Sequence, residues 1–280
     1  MTKSAPGSLL LVVCFALVSS ASLPAQEWAP LWPDAGEIET FLKKAKVTER
    51  KKIGTGTTKP EKVRLELDGQ VRFAVFKKVG RSYDSWKSEI AAYELDKLLG
   101  LGMVPPTVER RIGLGQGCLQ LWVEGVTMKD FGGEPVDPGF WRQQVSVMWL
   151  FDDLIANVDR HLNNALVTAD QRLVLIDNSK TFNTDRRLWN NLHGPGTGTH
   201  ARFWKVAYDA ERESYPVRYP SFLLDRLQLL SEKQLSDAVK RYVSSTKRNR
   251  VVERRRTILE RLAAMDESPR LETAVSLSRH

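Results

Sequence analysis

The sequence predicts an α+β chain of two unequal lobes, a small β-rich lobe followed by a mainly helical one. Three observations carry this reading. Two strand-like runs, Lys62 to Leu67 and Val71 to Phe76, bracket Asp68-Gly69, a dipeptide that favours tight hairpins. A helical pattern with good helix formers follows over Trp86 to Leu95. Further on, Phe140 to Ile155 carries apolar residues at helical spacing, leads into the polar loop Asn157 to Asn164, and gives way to a second hairpin before Asp177. At 280 residues the chain can bury the core of one large domain or of two lobes.

In chain order, residues 1–25 read as a signal peptide. Lys3 supplies a positive charge, Leu9 to Val18 is an apolar run short for a bilayer span, and the small residues Ser19 to Ser22 precede Leu23-Pro24-Ala25. Cleavage is expected between Ala21 and Ala25, leaving an exported chain without a transmembrane span that starts near Gln26; an uncleaved anchor is the alternative. Cys14 follows Val13 rather than a small residue, which makes it a poor lipidation site. Without the leader Cys118 is the only cysteine, so the fold is expected to need no disulfide even in an oxidising compartment.

Residues 26–50 read as an N-terminal extension with Trp28, Trp32 and a helix from about Glu37 to Lys46. The small lobe is expected over 51–125. It opens with Lys52 to Thr58, where Gly54 and Gly56 suit either a phosphate-approaching loop or an ordinary turn. Lys77 ends the second strand of the first hairpin, and Glu89 lies twelve residues later on the first turns of the next helix. Glu94 and Asp96 are its rivals on that helix. Cys118 to Glu124 reads as an apolar strand running into the link between lobes. The large lobe is expected over 126–267, and 268–280 as a loose tail.

The chemistry is concentrated in two places. Asp159 and Asn164 are five positions apart, the spacing of base and metal-binding Asn in a kinase catalytic loop, and Asp177 stands after a hairpin where a kinase keeps its metal-chelating Asp. An Asp-Arg-His triplet alone is a weak signal. Here it lies between a buried helix and a hairpin, in kinase order. Arg160 and His161 are expected to brace the loop. Upstream, an ammonium at Lys77 would steady the α- and β-phosphates of ATP, with Glu89 pairing to hold it. Adenine is expected to meet backbone at the link, so Val123 and Glu124 join Lys77, Glu89, Asn164 and Asp177 as candidate ATP-binding residues. Oxygen donors without nearby imidazole or thiolate favour Mg²⁺ or Mn²⁺.

The run Ser88 to Leu101 with Val104-Pro105-Pro106-Thr107-Val108, together with Gly56-Thr57, Val75-Phe76-Lys77, Asp159-Arg160-His161 and Asp177-Asn178, resembles the secretory-pathway kinases of the Golgi casein kinase and proteoglycan xylosylkinase family. The resemblance covers roughly residues 50 to 260. It implies an atypical bilobal kinase fold in which Lys77 and Glu89 contact ATP and metal, Asp159 is the catalytic base and Asp177 binds metal. Two features depart from the animal members: Asn164 stands where they carry Glu, and disulfide bracing is absent. The Asp-Arg-His-x-x-Asn form is similar instead to phosphoinositide kinases and bacterial HipA-like kinases.

Asn178 to Arg202 reads as an activation or acceptor-binding segment. His193 and His200 in it lack the companion ligands that zinc requires. Basic residues exceed acidic ones, 42 to 34, and cluster at Arg254-Arg255-Arg256 in the helical stretch Pro220 to Met265, which suits an anionic partner or simply a solvated face. No repeat or motif points to nucleic acid. The expectation is an exported ATP-dependent kinase with a protein Ser/Thr acceptor; a lipid or glycan hydroxyl is the alternative, and a nucleotide-binding pseudokinase or scaffold is the alternative from another class.

Overall fold

Small-lobe architecture follows from where the strands find their partners. In a computed structural model, which describes residues 27–54, 60–78, 84–184, 217–265 and 271–273, five antiparallel strands lie in the order β1-β2-β3-β5-β4. They are β1 (Lys46–Lys52), β2 (Glu61–Leu67), β3 (Gln70–Lys77), β4 (Thr107–Ile112) and β5 (Gly115–Leu121). The β2–β3 turn is made by Asp68 (φ 50°) and Gly69 (φ 76°), the double positive φ that suits this dipeptide. Helix α1 (Ala35–Lys44) lays Ile38, Phe41 and Leu42 on the sheet, against Val63, Leu65, Ala74, Phe76 and Leu119. The stretch expected as an extension is thus built into the small lobe through α1 and β1.

Helix α2 (Trp86–Leu99) starts at Ser85, whose hydroxyl accepts from the Lys87 N–H at 3.2 Å, and stops at Gly100 in the left-handed conformation (φ 70°). Such caps satisfy the orphan groups at both ends. Most of its residues are buried, because one side meets the sheet and the other meets the large lobe.

The large lobe is organised on α3 (Pro138–Ile155). Asp137 caps it by accepting from Phe140 N–H at 2.9 Å, and Pro138 occupies the first turn, where no N–H is missed. After the polar loop come β7 (Ala165–Val167) and β8 (Leu173–Leu175), an antiparallel pair, with β6 (Val126–Thr127) alongside β7. Helices α4 (Ser221–Leu229), α5 (Glu232–Val239) and α6 (Ser245–Met265) complete the lobe. Short strands β9 (Val217–Tyr219) and β10 (Leu271–Thr273) pair in parallel, so part of the expected tail is strand. Trp28 docks the N-terminal segment on this lobe by donating to the Leu101 carbonyl at 3.1 Å.

Among the described residues no helix is long and apolar enough to cross a membrane. The leader, the loop around Gly56 and Thr57, and most of the segment with His193 and His200 lie outside the described residues, as do 274–280. The basic run differs from a free anionic-partner surface. Arg254 is buried and donates to the carbonyls of Leu154 and Asn183, Arg255 donates to those of Leu227 and Gln228, and Arg256 pairs with Glu232 at 2.7 Å. These guanidiniums close helix ends and loops within the lobe.

Candidate active site

A cleft of about 330 Å³ lies between the lobes. Ile53, Pro60, Val75 and Lys77 line it from the small lobe; Asn164, Leu166, Ile176 and Asp177 line it from the large one, and Gln120 to Gly125 form its back. An apolar slot with a few converging polar groups is the usual form of a nucleotide-sized site. Sequence-selected Lys77, Val123, Glu124, Asn164 and Asp177 all stand on its wall. Strand β5 ends at Leu121, earlier than expected, so Trp122 to Glu124 are link rather than strand. Glu124 sits at the mouth, accepting from the Trp122 indole at 2.6 Å, while Lys62 lies 3.7 Å from the Trp122 ring centroid.

Lys77 is aimed by its strand. It pairs in register with Cys118 of β5, and the strands pass so closely here that a Cβ on Gly117 would come within 2.2 Å of the Lys77 carbonyl oxygen. Only glycine allows that approach. The Lys77 ammonium bonds Glu89 Oε1 at 2.6 Å and Asp177 Oδ1 at 3.1 Å. Burial works against its charge, but the two carboxylates outweigh burial and hold its pKa above the ordinary lysine value. Lys77 in turn holds the Asp177 carboxyl below its usual range.

Glu89, expected as an ATP contact and metal ligand, does not line the cleft. It is fully buried, Lys77 takes Oε1, and the Asn178 backbone N–H donates to Oε2 at 3.0 Å. Burial raises its pKa. Standing behind Lys77 rather than on the cleft wall, it positions Lys77 and ties α2 to the segment after Asp177. Its rivals have other employment: Asp96 accepts from the backbone N–H groups of Met103 and Val104 at 3.0 and 3.1 Å, and Glu94 pairs with Lys97 at 3.1 Å.

The polar loop is held by a buried network. Arg160 donates from Nε to Asp152 Oδ2 at 3.0 Å, from Nη1 to the Ile176 carbonyl at 2.8 Å and to the Asn164 carbonyl, and from Nη2 to Asn178 Oδ1 at 2.6 Å. Asn157 Nδ2 donates to Asp152 Oδ1 at 3.0 Å, and its Oδ1 accepts from the Asp159 N–H at 3.0 Å. Asn164 Nδ2 donates to the Asp159 carbonyl at 3.0 Å. This last bond turns the amide nitrogen away and leaves its oxygen as the group suited to a cation. Asp177 is in the left-handed region (φ 54°), an uncommon state for a non-glycine residue and one that clusters at functional sites.

Asp159 itself does not line the cleft. Its Oδ2 accepts from Lys180 Nζ at 2.9 Å, and both side chains are partly exposed. Sequence reasoning passed over Lys180 and Asp152. A Lys three places after Asp177 carries no spacing rule, and an Asp on an apolar helix gives no sign that its partner comes eight residues later.

Asp177 and Asn164 present a carboxylate and an amide oxygen from one wall of the cleft, with no sulfur or imidazole donor. A small hard cation fits such a pair, because Mg²⁺ takes one or two protein oxygens and fills the rest of its shell with water and phosphate oxygens. Among the described residues no group of three or more His, Cys, Asp and Glu could hold a metal by itself, so a cation here would need further ligands from outside the protein.

No protein-family model matches this chain, and no curated protein sequence matches it. Solved structures do. A hydra Fam20 structure with sugar is similar at a TM-score of 0.59 and 17% identity, over 86% of this chain and 92% of that one. The Golgi casein kinase is similar at 0.55 and 14%, over 84% and 75%. The Helicobacter pylori proinflammatory kinase CtkA is similar at 0.52 and 12%, over 81% and 98%. The chain has the bilobal fold of the Fam20-like atypical kinases.

Proposed function

We propose that this chain is an ATP-dependent phosphotransferase acting on an alcohol group, with a protein Ser/Thr hydroxyl as the first-choice acceptor. The observation that carries the reading is the pairing of Lys77 with both Glu89 and Asp177 at an interlobe cleft, with Asp159 outside the cleft wall and paired to Lys180. A pseudokinase needs no such complete set.

In this reading the apolar walls Val75, Leu166 and Ile176 take the adenine, and backbone groups near Val123 and Glu124 give it hydrogen bonds. Lys77, kept protonated by its two carboxylates, neutralises the α- and β-phosphates without losing a proton. Asp177 and Asn164 would hold Mg²⁺ or Mn²⁺, which when bound screens the phosphate charge. Asp159 accepts the proton of the acceptor hydroxyl as it attacks. Catalysis then rests on positioning and electrostatics, which is what the Arg160 network secures.

A glycan hydroxyl is the second reading. It is favoured by the similarity to the hydra Fam20 structure with sugar. Export through the leader at 1–25 is part of the proposal, and N-terminal sequencing of secreted material tests it. The reaction is tested by following ATP γ-phosphate in parallel into Ser/Thr peptides, amino-sugar glycans and phosphoinositide vesicles with Mg²⁺ or Mn²⁺. Transfer to peptides supports the first choice, transfer to glycan or lipid replaces it, and nucleotide binding without any turnover supports the pseudokinase.

A further inference from the structure

Among the described residues Lys180 is the cation that touches Asp159, and neither the nucleotide cradle nor the loop brace uses it. Its Nζ donates to Asp159 Oδ2 at 2.9 Å. The other cations near the chemistry are committed: Lys77 lies against Glu89 and Asp177, and Arg160 is buried with its donors on Asp152, Asn178 and two carbonyls. Lys180 differs from both. Its side chain is 40% exposed and that of Asp159 is 31% exposed, so the pair is open to solvent and within reach of a ligand. An ammonium has three N–H donors, and the bond to Asp159 occupies one.

The backbone around Lys180 is fixed from the small-lobe side. The Ser85 N–H donates to the Ser179 carbonyl at 3.0 Å, and Asp84 beside it is 5% exposed, its Oδ1 without a hydrogen-bond partner among the described residues. Asp84 and Asp177 both add to the field that keeps Lys180 protonated, after its hydrogen bond to Asp159. These carboxylates keep Lys180 an ammonium, and its remaining N–H donors are what an incoming phosphoryl group would meet.

Resting on the phosphotransferase reading, we propose that Lys180 is a catalytic residue that contacts the transferred γ-phosphoryl group while keeping Asp159 aimed at the acceptor. The new bond forms between the acceptor oxygen and phosphorus. The bond from phosphorus to the bridging oxygen breaks, and its electron pair stays on that oxygen of the departing ADP. The acceptor proton goes to Asp159, and Lys180 remains an ammonium throughout. It meets the negative charge that Lys77, on the far side of the phosphates, does not reach.

The test uses the full chain with Mg²⁺ and two probes, ADP and the non-hydrolysable ATP analogue AMP-PNP, which differ by the terminal phosphate. Lys180→Met should weaken AMP-PNP binding about tenfold and ADP binding less than twofold, and should lower the rate of ATP turnover by about 10²–10³-fold. Lys180→Arg should recover part of the AMP-PNP preference. Equal weakening of both nucleotides with a lowered melting temperature would make Lys180 a structural ion pair and overturn the proposal. So would an unchanged preference and rate. If the wild-type chain binds neither nucleotide, the phosphotransferase reading itself falls, an outcome distinct from a binding-competent wild type indifferent to Lys180.

Discussion

Asp152→Ala is the perturbation whose cost the structure specifies best. Asp152 and Arg160 both have fully buried side chains. The guanidinium bonds the carboxylate from Nε at 3.0 Å and from Nη2 at 3.1 Å, and the same carboxylate accepts from Asn157. Removing it leaves a buried positive charge without its counter-charge and an amide without its acceptor. Breaking one side of a buried pair costs about 3–5 kcal/mol. At roughly 2–4 °C per kcal/mol for a chain of this size, the melting temperature should fall by about 10 °C. Urea unfolding at neutral pH measures the loss directly. The double variant Asp152→Leu/Arg160→Met removes both charges and should recover much of the stability. It should not recover ATP turnover, because the carbonyls of Asn164 and Ile176 then lose the donor that fixes the loop. A loss below about 1 kcal/mol in the single variant, or restored turnover in the double, would refute the view that this pair braces the site.

Three further outcomes follow from the same geometry. Lys77→Met should lower turnover by about two to three orders of magnitude, as loss of one preorganised charge commonly does; a steady-state rate within threefold of wild type would contradict its placement. Nucleotide should raise the melting temperature only with Mg²⁺ or Mn²⁺ present, and Asp177→Ala should abolish that rise, since Asp177 and Asn164 set a carboxylate and an amide oxygen together on the large-lobe wall of the cleft; a metal-independent rise that survives the substitution would count against the cation site. Burial pushes the Asp96 carboxyl up to about 7 from its ordinary 3.8, against the pull of the Met103 and Val104 N–H groups. The folded chain therefore keeps a proton here that the unfolded chain gives up, and the contribution of Asp96 to stability should fall as pH rises from about 4 to 7, by on the order of 4 kcal/mol. Asp96→Asn should flatten that slope in urea titrations, and an unchanged slope would refute the assignment.

The parts of the site that could be read from sequence are those whose chemistry is confined to short stretches. Asp159, Asn164 and Asp177 are linked by loop and hairpin spacing, and Lys77 by a hairpin with a clear turn. Glu89 was legible as the partner of Lys77, but its place behind Lys77 and off the cleft wall was not: it is fixed by the bond from Lys77 and another from a backbone N–H 89 positions away. Asp152 and Lys180 act through contacts that no local pattern encodes. In the fold, β1 escaped notice because Lys46–Lys52 is an edge strand with nearly every side chain exposed, so it shows no alternation. Strand β4 hid for a related reason, since its centre carries Glu109, Arg110 and Arg111. Arg110 is accommodated by donating to the carbonyls of Leu42 and Ala45 at the end of α1, which also locks that helix to the sheet.

In the proposed reaction Asp159 takes the acceptor proton in a site that Lys77, Asp177 and Asn164 build for ATP. The most direct measurement compares γ-phosphate transfer from ATP, and AMP-PNP affinity, in the wild-type chain and Asp159→Ala. Because the base touches the acceptor rather than the nucleotide, transfer should be lost while AMP-PNP affinity stays within a few-fold of wild type. Full transfer activity in Asp159→Ala would rule out Asp159 as the base.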